Sequence, residues 1–198
     1  MKYKDTIFYK IVKPIITFLF KLLYRPKIIG LENIPVNGSV VLAGNHTKWL
    51  DPVMLVATVK RQVHFLAKEE LFHGQTKFIL RGVGAIPVNR KIHDKDALTS
   101  SYKMLEKGLV IGIFPEGTIN RTKEIIMPFK IGAVKMANEK NATLVPFTIT
   151  GTYKLFKKSI KIEFHKPLSL TKNLDKDNQK LMQIISTNIE RERNIKNG

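Results

Sequence analysis

Cysteine is absent from the 198 residues, which excludes disulfides, thiolate nucleophiles and thiolate metal sites together and leaves any chemistry to other side chains. Acidic residues are scarce. Sixteen Asp and Glu stand against 34 Lys and Arg, a formal charge of +18. A field of that sign concentrates polyanions, so nucleic acid and anionic lipid both qualify as partners. Long apolar runs are missing as well: the stretch 14–24 is interrupted by Lys21 and falls short of the roughly 20 residues that a membrane-spanning helix needs. No small-residue cleavage site precedes Arg25-Pro26-Lys27, so the basic and apolar start does not read as a signal peptide and is expected to stay in the mature chain. Neither an internal repeat nor a low-complexity segment is evident.

What is present fits a folded chain with one substantial core: 43% hydrophobic and 25% charged residues lie near the averages for soluble globular proteins. Residues 1–26 are expected to form an N-terminal amphipathic helix that docks on a membrane. Phe18, Leu19, Leu22 and Leu23 cluster at helical spacing, and Lys10, Lys13, Lys21, Arg25 and Lys27 are placed to meet lipid phosphates. The alternative is a helix packed on its own domain. Residues 27–198 make up the remaining domain, in which strand patterns at 27–34, 39–43, 63–67, 84–88, 109–114, 143–150 and 159–164 alternate with helical ones at 53–59, at 69–80, from a cap at Asp94 or Asp96 to 107, and at 130–140. A last helix is marked by Leu181, Ile184, Ile185 and Ile189. The alternation predicts an α/β fold, a mixed and mostly parallel sheet flanked by helices, with ligand sites at the loops that leave strand C-termini.

His46 is the first candidate for chemistry, because an imidazole accepts a proton from an alcohol near neutral pH and Asp51 can hold its second nitrogen. On a regular helix, five residues turn through about 500° and leave the two side chains roughly 140° apart, so a loop must bring them together. Taken alone, the pair also describes an ordinary loop histidine and a helix-capping aspartate, since Asp51-Pro52 suits an N-cap and first helical position. Two further strand exits are polar. Gly84-Ala85-Ile86-Pro87-Val88-Asn89-Arg90 supplies a guanidinium, and Phe114-Pro115-Glu116-Gly117-Thr118 a carboxylate beside glycine, so three polar clusters share one sheet edge.

In that order the segments resemble the glycerolipid acyltransferase family, which includes the lysophosphatidic acid acyltransferases. Asn45-His46-Thr47-Lys48-Trp49-Leu50-Asp51 matches its NHxxxxD motif, residues 84–90 resemble its second motif with Arg90 in the phosphate-contacting position, and residues 114–118 are its FPEGT. Phe129-Lys130-Ile131-Gly132-Ala133 looks like its FKxGA segment and Leu144-Val145-Pro146-Phe147 like its fourth, proline-containing motif. The chain departs from the pattern where Lys48 replaces a serine, Asn89 an acidic residue, and Ile119 the arginine that helps hold the acceptor phosphate. Arg121 or Lys130 is the candidate substitute.

The resemblance implies acyl transfer from acyl-coenzyme A or acyl-acyl carrier protein to lysophosphatidic acid, giving phosphatidic acid in phospholipid biosynthesis at the cytoplasmic face of the cell membrane. His46 acts as general base and Asp51 fixes its tautomer, with no covalent enzyme intermediate. Arg90, Glu116, Gly117, Thr118, Arg121 and Lys130 are the substrate-binding candidates. Glu116 is the one among them that also suits ordering hydrogen-bond donors. No cofactor is implied, and no metal, since His64, His73, His93 and His165 lack metal-ligand spacing. Two alternatives stay open: transfer to another lysophospholipid or to glycerol 3-phosphate, and a nonenzymatic basic membrane- or nucleic-acid-binding protein. For the latter, Lys154, Lys157, Lys158 and Lys161 with Tyr153 and Phe156 form the basic and aromatic cluster, although no nucleic-acid-binding motif accompanies them and no such partner is expected.

Overall fold

The structure is a computed structural model that describes residues 7–73, 80, 85–88 and 95–197. Among these, seven strands form one sheet in the order β1-β7-β6-β2-β5-β3-β4. The strands are β1 Lys27–Ile29, β2 Val40–Gly44, β3 Val63–Lys68, β4 Ile86–Val88, β5 Val110–Ile113, β6 Thr143–Gly151 and β7 Ile160–Phe164. Neighbours pair in parallel except β6 with β7, so the sheet is mixed and mostly parallel. Among the described residues, the helices whose bounds are defined are α1 Ile7–Tyr24, α2 Asp51–Thr58, α3 Lys95–Glu106, α4 Gly132–Glu139 and α5 Leu174–Asn197.

The central strands are apolar at nearly every position because both sheet faces are covered. Successive side chains of β2 go to opposite sides. Val40 and Leu42 join the core under α1 and α2, while Val41 and Ala43 join the core under α3, α4 and α5. β2 lies between β5 and β6, and all three run parallel, so their C-terminal exits gather on one edge.

Several expectations change in detail. The first strand stops at Ile29 and gives way to a 3-10 turn at Leu31–Asn33, whose Asn33 side chain donates to the Phe164 carbonyl at 2.9 Å. The 69–80 helix begins as a 3-10 turn, Glu69–Phe72, and residues 74–79 lie outside the described residues. Leu50 takes the N-cap position of α2 and Asp51 is already helical.

The helix α1 has two apolar faces rather than one. Tyr9 and Phe20 are buried, and the helix packs on α2. Ile11, Ile15, Phe18 and Leu22, spaced at i, i+4, i+7 and i+11, are exposed together with Leu19. Lys13, expected among the cations that meet lipid phosphates, is turned onto the protein. Its ammonium donates to the carbonyls of Val59 at 2.7 Å, of Arg61 at 3.4 Å and of Lys60, closing the C-terminal end of α2 where free carbonyls and the helix dipole favour a cation.

Candidate active site

The site begins where β2 ends. Gly44 is required there because the Phe147 ring lies across it, and a Cβ would stand 2.4 Å from that ring. Asn45 then carries the strand pairing one step further with its side chain. Its amide nitrogen donates to the Ile149 carbonyl at 2.9 Å, and its oxygen accepts the Ile149 N–H at 2.8 Å. With that amide satisfied, the chain leaves the sheet at His46.

Both backbone groups of His46 are gripped by the segment that leaves β5. Its N–H donates to Glu116 Oε1 at 2.8 Å, and its carbonyl accepts the Asn120 N–H at 2.8 Å. The other oxygen of Glu116 accepts the Met127 N–H at 2.9 Å. Glu116 is 4% exposed, and burial raises its pKa above the ordinary carboxylate range, against the pull of the two amides. The carboxylate thus holds the histidine's backbone in place. Phe114 stacks on the imidazole with ring centroids 4.2 Å apart, and itself rests edge-on against Phe147 at 5.8 Å. The ring that demands Gly44 therefore also supports the ring that orients His46.

Residues 46–50 form the required loop and return the chain so that His46 Nδ1 lies 2.9 Å from Asp51 Oδ2. Asp51 is completely buried. Its Oδ2 also accepts the N–H groups of Thr47 at 2.6 Å and Lys48 at 2.8 Å, and its Oδ1 accepts the Tyr153 hydroxyl at 2.6 Å. With the Thr47 hydroxyl 3.4 Å from both oxygens, the donors fill the lone-pair capacity of the carboxylate. Asp51 therefore caps the turn that precedes α2 rather than the helix itself. Because Oδ2 can only accept, the network assigns the proton of a neutral imidazole to Nδ1 and leaves the Nε2 lone pair free for a substrate proton.

The other candidate residues fall around this pair in different ways. Gly117 has φ 74, and Lys130 extends over it with Nζ 3.2 Å from where a Cβ would lie. The Gly117 N–H donates to the Phe114 carbonyl at 2.9 Å and so closes a turn. Thr118, Arg121 and Lys130 are exposed on the segment anchored to His46 through Glu116 and Asn120. Arg90 lies outside the described residues. The basic cluster after β6 is broken up: Lys161 is spent on Glu163 at 2.6 Å and Glu192 at 2.9 Å, while Lys154, Lys157 and Lys158 are exposed.

Tyr153 belongs to the site, yet sequence reasoning placed it only in the basic cluster. Burial first, and the Asp51 charge second, push its phenol pKa up, so it remains a donor. The available signal was position: Tyr153 stands two residues past β6, at the sheet edge where sites collect.

A family model described as Acyltransferase matches residues 25–150, more than half of the chain. The chain belongs to this acyltransferase family. It is 37% identical over 150 residues to the 1-acyl-sn-glycerol-3-phosphate acyltransferase of Bacillus subtilis, covering 72% of this chain and 73% of that protein. To the 1-acyl-sn-glycerol-3-phosphate acyltransferase of Borreliella burgdorferi it is 35% identical over 136 residues, covering 67% of this chain and 54% of that protein. In three dimensions the acyltransferase is similar to the crystal structure of the 1-acyl-sn-glycerophosphate (LPA) acyltransferase from Thermotoga maritima, with TM-score 0.75 over 93% of this chain and 79% of that one. At 18% identity the likeness speaks for the fold alone. Within the matched range lie His46, Asp51, the Glu116–Thr118 turn and Lys130, so the acyltransferase carries its histidine–aspartate pair inside the family domain.

Proposed function

We propose that this acyltransferase transfers a fatty acyl group from acyl-coenzyme A or acyl-acyl carrier protein to lysophosphatidic acid at an anionic membrane surface, yielding phosphatidic acid. The observation that carries the reading is the His46–Asp51 pair at the exit of a central parallel strand, with Nε2 left as base. The names of the two bacterial relatives support the choice of acceptor.

His46 Nε2 takes the proton of the acceptor hydroxyl as its oxygen attacks the thioester carbonyl. The imidazolium formed is stabilised by Asp51, and the proton passes to the departing thiolate as the ester forms. Asp51 has no solvent to reorganise around it, and its donors are already aimed, which is the condition under which a carboxylate supports a neighbouring positive charge at low cost. The acceptor phosphate is held by Arg90 and by the exposed Arg121 and Lys130 with the Gly117–Thr118 turn, fixing the hydroxyl against the base. The charge of +18 and the exposed stripe of α1 support peripheral docking at the cytoplasmic face of the membrane. Among the described residues no helix is long and apolar enough to cross it.

Ile119, in the place of the family's acceptor-phosphate arginine, favours a second reading in which another lysophospholipid or glycerol 3-phosphate is the acceptor. One experiment separates them. Purified protein with vesicles is given lysophosphatidic acid, an uncharged lysolipid or glycerol 3-phosphate, each with both thioester donors, beside a His46→Ala control. Phosphatidic acid made only from lysophosphatidic acid and lost in the control is the expected result. Preference for either other acceptor moves the assignment to it, and transfer that survives His46→Ala removes the proposed base.

A further inference from the structure

Between β6 and β7 the chain makes a short excursion over residues 152–159 in which neighbouring side chains take opposite directions. Tyr153 goes inward to Asp51 and packs edge-on against Phe20 and Tyr24 of α1, with ring centroids 6.2 and 5.6 Å away. Leu155 and Phe156 go outward and are 55% and 58% exposed. Lys154, Lys157 and Lys158 are exposed around them. Phe156 has φ 59, a left-handed conformation in which a bulky aromatic residue is an outlier. Its N–H donates to the carbonyl of Leu23 in the last turn of α1, next to the exposed Leu22 and two residues before the exposed Arg25. The fold thus holds an aromatic ring in solvent, in an unfavourable backbone state, against the end of the helix whose outer stripe is apolar.

In water this arrangement gains nothing, because the apolar tip stays wet and its lysines repel one another. An anionic bilayer resolves both problems: the tip enters the acyl boundary and the ammonium groups meet phosphates. We propose that the loop tip Lys154-Leu155-Phe156-Lys157-Lys158 is a second lipid-contacting element that inserts Leu155 and Phe156 into an anionic bilayer beside α1. The proposal rests on the reading of α1 as a membrane-docking helix and adds to it a fixed orientation. A single helix lying in the interface can roll about its axis; a second insertion point beside its C-terminal turn stops the roll. Tyr153 is in the same loop, so the edge that carries His46 and Asp51 is held at a set angle to the lipid surface.

The test places a single tryptophan at the tip by combining Phe156→Trp with Trp49→Phe in the full chain. Vesicles of phosphatidylglycerol and phosphatidylcholine are added, with and without brominated acyl chains. The expected result is a blue-shifted emission quenched by the bromines. In parallel, Leu155→Ser/Phe156→Ser is expected to lower vesicle partitioning by about 10- to 100-fold, the effect of withdrawing two large apolar side chains from the acyl boundary. Its near-UV circular dichroism stays that of the wild type. Unshifted and unquenched emission from vesicle-bound protein overturns the proposal while leaving α1 docking intact. Failure of the wild type to bind these vesicles overturns both. If the double variant keeps its vesicle partitioning but loses affinity for acyl carrier protein, the tip is a protein-docking surface and the lipid assignment is wrong.

Discussion

Replacing Tyr153 with phenylalanine removes one oxygen and keeps the ring, so it isolates the hydrogen bond to Asp51 from the packing against Phe20 and Tyr24. In the wild type that hydroxyl stands 2.6 Å from Oδ1, and the other donor near the same oxygen among the described residues is the Thr47 hydroxyl at 3.4 Å. Asp51 has no exposed surface from which water could replace the lost donor. A hydrogen bond to a charged group contributes about 1.5–3 kcal/mol. For a domain of this size, that loss lowers Tm by about 3–12 °C. If the transition state needs the carboxylate held as it is, the same energy appears as a decrease in kcat of about 10- to 100-fold with KM nearly unchanged, since Tyr153 does not line the exposed cationic side. The assays are a thermal melt and initial rates of acyl transfer over a range of acceptor concentrations. Tyr153→Ala serves as the packing control, with a larger stability loss because it also empties the space between α1 and the loop. A Tyr153→Phe protein with wild-type Tm and kcat would refute the reasoning, because the hydroxyl would then add nothing to the buried carboxylate.

Other substitutions follow from the same geometry. Glu116→Gln has one acceptor oxygen where two backbone amides now donate, so a buried N–H of His46 or Met127 loses its partner at about 1–3 kcal/mol, and kcat falls with Tm; unchanged values in rate assay and melt count against Glu116 as the clamp on His46. Lys13→Met removes the cation from the carbonyl end of α2 and lowers stability by about 1–2 kcal/mol without reducing sedimentation with anionic vesicles, a pattern opposite to that of a lysine that meets lipid. Burial, joined by the charges of Arg191 and Lys161 against the pull of Glu163, holds the His165 imidazole below its ordinary 6.5. The unfolded chain then binds the extra proton first, so stability falls as pH drops through about 6.5. The melt of His165→Gln is expected to show a flatter pH dependence between pH 7 and 5, and an equal slope in both proteins excludes His165 as the source.

The sheet was legible in the sequence because its signals are local. Apolar runs at 39–43, 109–114 and 143–150 became β2, β5 and β6 with ends shifted by at most one residue, boundaries being fixed by hydrogen bonding rather than by pattern. The need for a loop between His46 and Asp51 was legible from helical geometry, and the loop is there. What escaped is nonlocal. Tyr153 meets Asp51 across 102 positions, Glu116 meets the His46 amide across 70, and Lys13 reaches the end of α2 across 46 to 48. No periodicity connects residues so far apart; only the parallel order that brings the exits of β2, β5 and β6 to one edge does so. The capping assignment for Asp51 failed for a related reason, since a short-range rule sees only the helix that follows. It does not see the imidazole and the phenol that compete for the same oxygens.

Those long-range contacts join the His46–Asp51 pair and helix α1 into one connected unit. His46 is fixed by its backbone to the loop after β5, and Asp51 by its side chain to the loop after β6; neither depends on contacts within the short helix α2 alone. The Tyr153 ring that reaches Asp51 is itself seated on Phe20 and Tyr24, from α1, and α1 is tied to the end of α2 through Lys13. An outer helix retained only as an anchor would need no such connection: its buried face could pack on any apolar patch of the domain. Here it packs on the residues that position the carboxylate. A displacement of α1 therefore acts within two side-chain contacts of Asp51, through Phe20 or Tyr24 and then Tyr153. Because close-packed interiors transmit strain, a shift of α1 reaches the Asp51 carboxylate through the same few rings.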